Sequence, residues 1–260
     1  MKILLQVALV FGIYWVSQGI EAILPVAFPA SVISLLLLLV LLLTGIVKVD
    51  HVREKSDFLL GNLGFFFIPV SVSIINYVDL IWQNAAAFLT VCVVSMVLTY
   101  GATACMAVTI YSQRKLLAKH WLPVLVGCVV GVVTAMGSIL VLCRLLGLDR
   151  AMTMSMLPKS VTMPIATVVA QGHGGTVAVT VAAVVVTGML GNLCAPLLVK
   201  LFRVKDPMAV GLGIGACSHA MGTAKALELG ETEGAMSGLA IGLCGILTTV
   251  LALLADFFVI

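Results

Sequence analysis

The sequence predicts an all-α, polytopic membrane protein, and three observations carry that prediction. Of the 260 residues, 62% are hydrophobic and 10% are charged, whereas a soluble domain carries about 25% charged residues. The mean hydropathy of +1.24 is too high for a chain that must cover its own surface with polar groups. The apolar residues also gather in runs that reach the roughly 20 residues needed to cross a hydrocarbon core as a helix.

In chain order, continuous apolar runs stand at 3–20, 30–47, 58–75, 85–110, 121–143, 176–199 and 235–258, with interrupted apolar stretches at 150–171 and 207–229. The expectation is about seven continuous transmembrane helices plus two broken or re-entrant ones. In the first run, Tyr14 and Trp15 suit a retained interfacial helix better than a cleaved signal, which would end in small residues. Trp82 and Trp121 fall at loop–span junctions, where amphipathic rings prefer to sit.

The chain has 14 basic and 11 acidic residues, a formal charge of +3. The basic residues cluster between apolar runs and form no stripe on a helix face, which is topology information and not a nucleic-acid footprint. Lys48 to Lys55 and Arg114 to Lys119 are basic, while Asn76 to Asn84 has no Lys or Arg. The two basic segments are therefore expected to face the cytoplasm. Seven cysteines, at 92, 105, 128, 143, 194, 217 and 244, lie in or beside apolar runs without a C-x-x-C pair. They read as small packing residues, and no metal or cofactor is expected.

An internal repeat follows the fifth run. The first copy is a span from Trp121, a corner running from Arg144 to Asp149, and an interrupted stretch containing Leu157 to Pro164. The second is a span from Gly175, a corner running from Lys200 to Asp206, and an interrupted stretch containing Ser218 to Thr223. Paired interrupted segments at corresponding positions point to a transporter's binding site. A cytoplasmic Lys200–Lys205 loop makes 150–171 re-entrant and the copies inverted, the reading favoured here. The competing reading has both broken helices crossing the membrane, with Lys200, Arg203 and Lys205 outside.

The interrupted stretches hold the candidate substrate-binding residues: Lys159, Ser160 and Thr162 in the first, and Ser218, His219, Gly222 and Thr223 in the second. Pro158 and Pro164 force a helix break by removing backbone donors. Half-helix N-termini and a lysine at such a break favour an anion such as a carboxylate. Lys159 to Pro164 and Ser218 to Thr223 are expected to be non-helical and adjacent near the membrane centre. His219, titrating near physiological pH, is the candidate for proton coupling, with Glu228 as the next. Gly211, Gly213 and Gly215 read as close helix packing and not as a nucleotide loop. No arrangement of residues argues for catalysis.

Two of these stretches carry a resemblance. Pro158-Lys159-Ser160-Val161-Thr162-Met163-Pro164-Ile165-Ala166 resembles the first signature of the LrgB/CidB family. Ser218 to Ala226, with Glu228 and Gly234-Ala235-Met236-Ser237, resembles its second. Pro29 to Ile33, Asp57 to Asn62 and Phe67 to Val70 resemble the partner family LrgA/CidA. The resemblance implies a fused pair similar to the plant plastidal glycolate/glycerate translocator, with residues 1–115 an LrgA-like scaffold module and 116–260 an LrgB-like transport module. The LrgB-like part is expected to begin near Lys119, without the spans that usually precede it in that family.

The expected function is secondary transport of a small monocarboxylate of the glycolate, glycerate, pyruvate or lactate type, by a plasma-membrane homodimer joined through the N-terminal module. The alternative that the resemblance implies is a holin-like, pore-forming or regulatory membrane protein that controls murein hydrolases.

Overall fold

The computed structural model describes residues 2–24, 28–48, 78–112 and 121–254. The expected span at 58–75 and the basic stretch 114–119 lie outside the described residues. All regular structure among the described residues is helical: α1 (Lys2–Ile23), α2 (Ala30–Leu43), α3 (Val78–Gln83), α4 (Ala85–Ser112), α5 (Trp121–Leu145), α6 (Arg150–Met156), α7 (Met163–Gly172), α8 (Val177–Leu201), α9 (Pro207–Leu229) and α10 (Glu231–Ala252). Four helices among the described residues are long and apolar enough to cross a bilayer, at Ala85–Cys105, Leu122–Leu145, Val177–Leu201 and Glu231–Ala252. The chain is thus a helical membrane protein.

Local chemistry explains the corners. Asp149 caps α6, its side chain accepting from the Met152 N–H at 2.7 Å. Asp206 caps α9, accepting from Met208 and Ala209 N–H at 2.9 and 3.1 Å. The aspartate closing each basic corner is therefore a helix N-cap, which satisfies donors that have no intrahelical partner. Pro207 follows Asp206 at the first helical position, where its missing N–H costs nothing. The last helix begins at Glu231, earlier than the apolar run suggests, because Glu231 and Glu233 in its first turn complement the positive end of the helix dipole.

The two interrupted stretches fold back on themselves. In line, α6 and α7 would hold Ser155 and Thr176 about 30 Å apart at 1.5 Å per residue. Instead the Thr176 N–H donates to Ser155 Oγ at 2.7 Å. In α9 the helix breaks at His219, whose φ of 45° and ψ of −143° are non-helical. A straight helix would separate Gly211 and Leu227 by about 24 Å, yet they pack on the consecutive residues Glu233 and Gly234 of α10. The expectation for Ser218 to Thr223 is corrected in detail: only His219 leaves helical geometry, and its neighbours belong to two half-helices. In the first stretch Leu157 to Thr162 are non-helical, but Met163 and Pro164 open α7, again because proline fits a first helical turn.

The core is the bundle of α4, α5, α8, α9 and α10, with the two folded-back stretches inside it. Glycines allow the close contacts. A Cβ on Gly211 or Gly215 would run into the Glu233 or Ser237 carbonyl oxygen of α10, which is the small-residue packing seen between membrane helices. Contacts of Gly127 with Leu212 and of Gly131 with Thr103 and Ala216 set the start of α5, the end of α4 and the start of α9 on one side of the bundle. The Lys200–Asp206 corner joins that side.

Candidate binding site

The site is built where the turn between α6 and α7 meets the break in α9. Proline at 158 and the turn bonds from Lys159 N–H to Met156 C=O (3.1 Å) and from Val161 N–H to Pro158 C=O (3.2 Å) hold the Lys159 backbone. Its side chain is 0% exposed. The ammonium Nζ has no hydrogen-bond partner among the described residues. Within electrostatic reach stand the thiols of Cys92 on α4, Cys143 on α5 and Cys217 on α9, and the His219 imidazole. No described carboxylate is among them. An ionised amine at membrane depth costs several kcal/mol unless paired or hydrated, so a charged Lys159 would need a counter-charge or water that the described residues do not supply.

His219 occupies the strained point of α9. A non-glycine residue at positive φ costs about 1–3 kcal/mol and persists only where its surroundings over-determine it. Here His219 Nε2 lies 2.9 Å from the Val184 carbonyl oxygen, and the His219 carbonyl accepts from Thr223 Oγ1 at 3.0 Å. A carbonyl only accepts, so Nε2 carries the proton in that bond. Nδ1 is buried without a partner among the described residues. Gly188 and Gly191 of α8 make room: a Cβ on Gly188 would lie 2.6 Å from His219 Cε1, and one on Gly191 would run into Ser218 Cβ.

The remaining sequence candidates divide. Ser160 Oγ is buried and unpartnered among the described residues, at a small cavity shared with Met136, Pro158, Cys244 and Thr248. Thr162 caps α7 through its backbone. Ser218 gives its hydroxyl to the Ile214 carbonyl at 2.7 Å, Thr223 pairs with Ser237 Oγ at 2.7 Å, and Gly222 packs beneath Ser218; these three shape the site from inside. Glu228 does not join it. Its carboxylate is 65% exposed and accepts from Lys225 Nζ at 2.6 Å. An exposed ion pair is worth under about 1 kcal/mol, so Glu228→Gln is expected to leave thermal stability and any transport pH profile unchanged. A shifted pH profile would return Glu228 to the coupling chemistry.

Sequence reasoning missed Thr187 of α8, which is fully buried. Its Oγ1 stands beside the Cys92 thiol without a well-formed hydrogen bond. Its signal was faint, a lone hydroxyl one residue before Gly188 in an apolar run.

Comparison with known proteins accords with the site's two stretches. The model of the LrgB-like family matches residues 97–257, which include both of them. The chain belongs to the LrgB-like family. The model of the LrgA family matches residues 14–107, so the two matches overlap within α4. Among curated relatives, an uncharacterized protein YxaC of Bacillus subtilis is 38% identical over 146 residues, 56% of this chain and 64% of that protein. Antiholin-like proteins LrgB of Bacillus mycoides and Bacillus cereus are each 36% identical over 149 residues, 57% of this chain and 65% of theirs. The chain thus spans 64–65% of the length of these relatives. No solved structure matches it.

Proposed function

We propose that this LrgB-like chain is a plasma-membrane carrier that holds a small monocarboxylate between its two folded-back stretches. The observation that carries the reading is Lys159, a fully buried amine with no described carboxylate in reach. One positive charge suits a monoanion, and Ser160 Oγ, Thr187 Oγ1 and His219 Nδ1 are the buried polar atoms available to orient it. A hydrogen bond to a charged group contributes about 1.5–3 kcal/mol, enough to select a carboxylate over a neutral solute of the same size.

In this reading α5 with α6–α7 and α8 with α9 are two copies of one unit, inverted with respect to each other, with their tips meeting at the site. Supporting it, the first folded-back stretch follows the end of α5, and the second follows the opposite end of the antiparallel α8. Such inverted pairs suit alternating access around a fixed midplane site. The basic corner 200–205 then faces the cytoplasm. The LrgA-like region serves as scaffold and joins two copies, so mass measurement of the protein in lipid nanodiscs is expected to give a dimer; a monodisperse, active monomer would contradict that assembly.

Proton coupling falls to His219. Protonated at Nδ1, it adds a second positive charge that strengthens carboxylate binding; neutral, it releases. Affinity is expected to fall with rising pH as His219 gives up that proton, and His219→Gln to flatten that dependence. An unchanged pH profile in the variant would exclude His219.

The antiholin-like names of the two LrgB relatives favour a second reading, a holin-like or regulatory membrane protein acting on cell-wall hydrolases. Those names say antiholin-like and speak of no carboxylate. The carrier reading rests on the site, and the two separate in proteoliposomes: a carrier gives saturable uptake, a pore gives leakage of unrelated solutes.

A further inference from the structure

The LrgA-matched helix α4 carries polar atoms that the site does not use. Ser95, Thr99 and Thr103, four residues apart, share one helix face, and all are fully buried. In an apolar helix a serine or threonine commonly gives its hydroxyl to the carbonyl four residues back. Thr99 does so, donating to the Ser95 carbonyl at 2.7 Å, as Ser17 does to Ile13 and Thr249 to Gly245. Ser95 Oγ and Thr103 Oγ1 do not, and neither has a partner among the described residues. The Tyr100 hydroxyl, on the next turn of the same helix, is also buried and unpartnered among them.

The facing helices present glycines to this strip and approach it closely. A Cβ on Gly131 of α5 would lie 2.5 Å from Thr103 Oγ1, and one on Gly213 of α9 would lie 2.9 Å from the Tyr100 ring. One turn before Ser95 is Cys92, beside Thr187 and within reach of Lys159. Between Thr99 and Thr103 the Tyr100 ring stacks on Phe202, centroids 5.8 Å apart, immediately before Arg203 in the basic corner. A buried hydroxyl without a protein partner pays its desolvation cost unless a water reaches it.

We propose that the Ser95–Thr99–Thr103 face of α4 is the hydrated route between the Lys159 site and the basic side of the bundle, with Tyr100 and Phe202 narrowing it before Thr103. The nature of the cargo rests on the carrier reading above, whereas the wetting of the strip does not. Ser95 and Thr103 would pass water and a small hydrated anion by offering their free hydroxyls, with Lys159 at the inner end and Arg203 at the outer.

The test is thiol accessibility in proteoliposomes. Ser95→Cys and Thr103→Cys, in a full-length chain with its native cysteines replaced, are treated with a membrane-impermeant cationic methanethiosulfonate from either side. Modification from the basic side at least tenfold faster than at lipid-facing Leu98→Cys is expected. Equal, slow modification at all three positions, or modification only from the opposite side, would overturn the route. Glycolate protection of Ser95→Cys reports on the carrier reading separately: a wet strip without protection keeps the route and removes the cargo. Should the cysteine-free chain not fold, hydroxyl-radical footprinting of the unaltered protein decides the matter. Tyr100 is expected to oxidise well above the equally buried Phe88 of the same helix, and equal protection of the two would overturn the proposal.

Discussion

Lys159→Met is expected to raise the stability of the empty protein while removing its affinity for small carboxylates. Methionine nearly matches lysine in length and fills the same space without a charge, so the cost of holding an unpaired amine inside the bundle disappears. Replacing buried charge with well-packed apolar groups has stabilised other proteins by about 1–4 kcal/mol. The anion loses its charge-assisted hydrogen bond, about 1.5–3 kcal/mol, and affinity falls by roughly 10- to 150-fold. A lysine kept for structure would show the reverse, with stability lost and binding either intact or lost through unfolding. Thermal unfolding with and without glycolate reads both quantities. Retained ligand stabilisation in Lys159→Met would exclude this residue from the site.

Gly191→Val is expected to cost about 3 kcal/mol or more, since overpacking a tight contact typically costs about 1–3 kcal/mol with one added methyl's worth of strain. A Cβ at this position runs into the Ser218 side chain, and valine adds branching. The break at His219 is held against this part of α8, so the substitution displaces the site as well as destabilising the fold. Gly137→Ala on α5 is the control, because nothing lies within 4 Å of its Cβ position. There alanine is neutral or stabilising, by about 0.5–1 kcal/mol as in any helix interior. Gly191→Ala combined with Ser218→Gly removes the collision and recovers part of the loss. Equal melting temperatures for Gly191→Val and Gly137→Ala would show that α8 and α9 are not packed as described.

The parts of this architecture legible in the sequence are those with a strong local cause. Proline at 158 breaks a helix wherever it occurs, so the turn carrying Lys159 was readable. Asp149 and Asp206 marked the corners because a carboxylate beside a helix start has a use there. The break at His219 had no such mark. Neither proline nor glycine occupies the position, and the positive φ comes from contacts with Val184 and Thr223 far away in sequence or across the break. The internal repeat placed an interruption within Ser218 to Thr223, but only the missing side chains at Gly188 and Gly191 single out His219, and glycine in a membrane helix has many other uses. Glu228 looked equivalent to His219 by charge, yet its spacing from Lys225 already allowed the exposed pair that forms. Thr187, Ser95 and Thr103 were invisible for a different reason. A hydroxyl in an apolar helix usually bonds to its own backbone, and only the three-dimensional arrangement separates those that do from those that do not.

A carrier built on the buried Lys159 takes up one small carboxylate at a time, and counterflow of labelled glycolate into proteoliposomes containing only this protein measures that uptake. Uptake is expected to be saturable, accelerated by unlabelled monocarboxylate inside, inhibited by other short monocarboxylates and indifferent to glycerol. Unsaturable entry of glycolate accompanied by leakage of glycerol would contradict it and leave the holin-like reading.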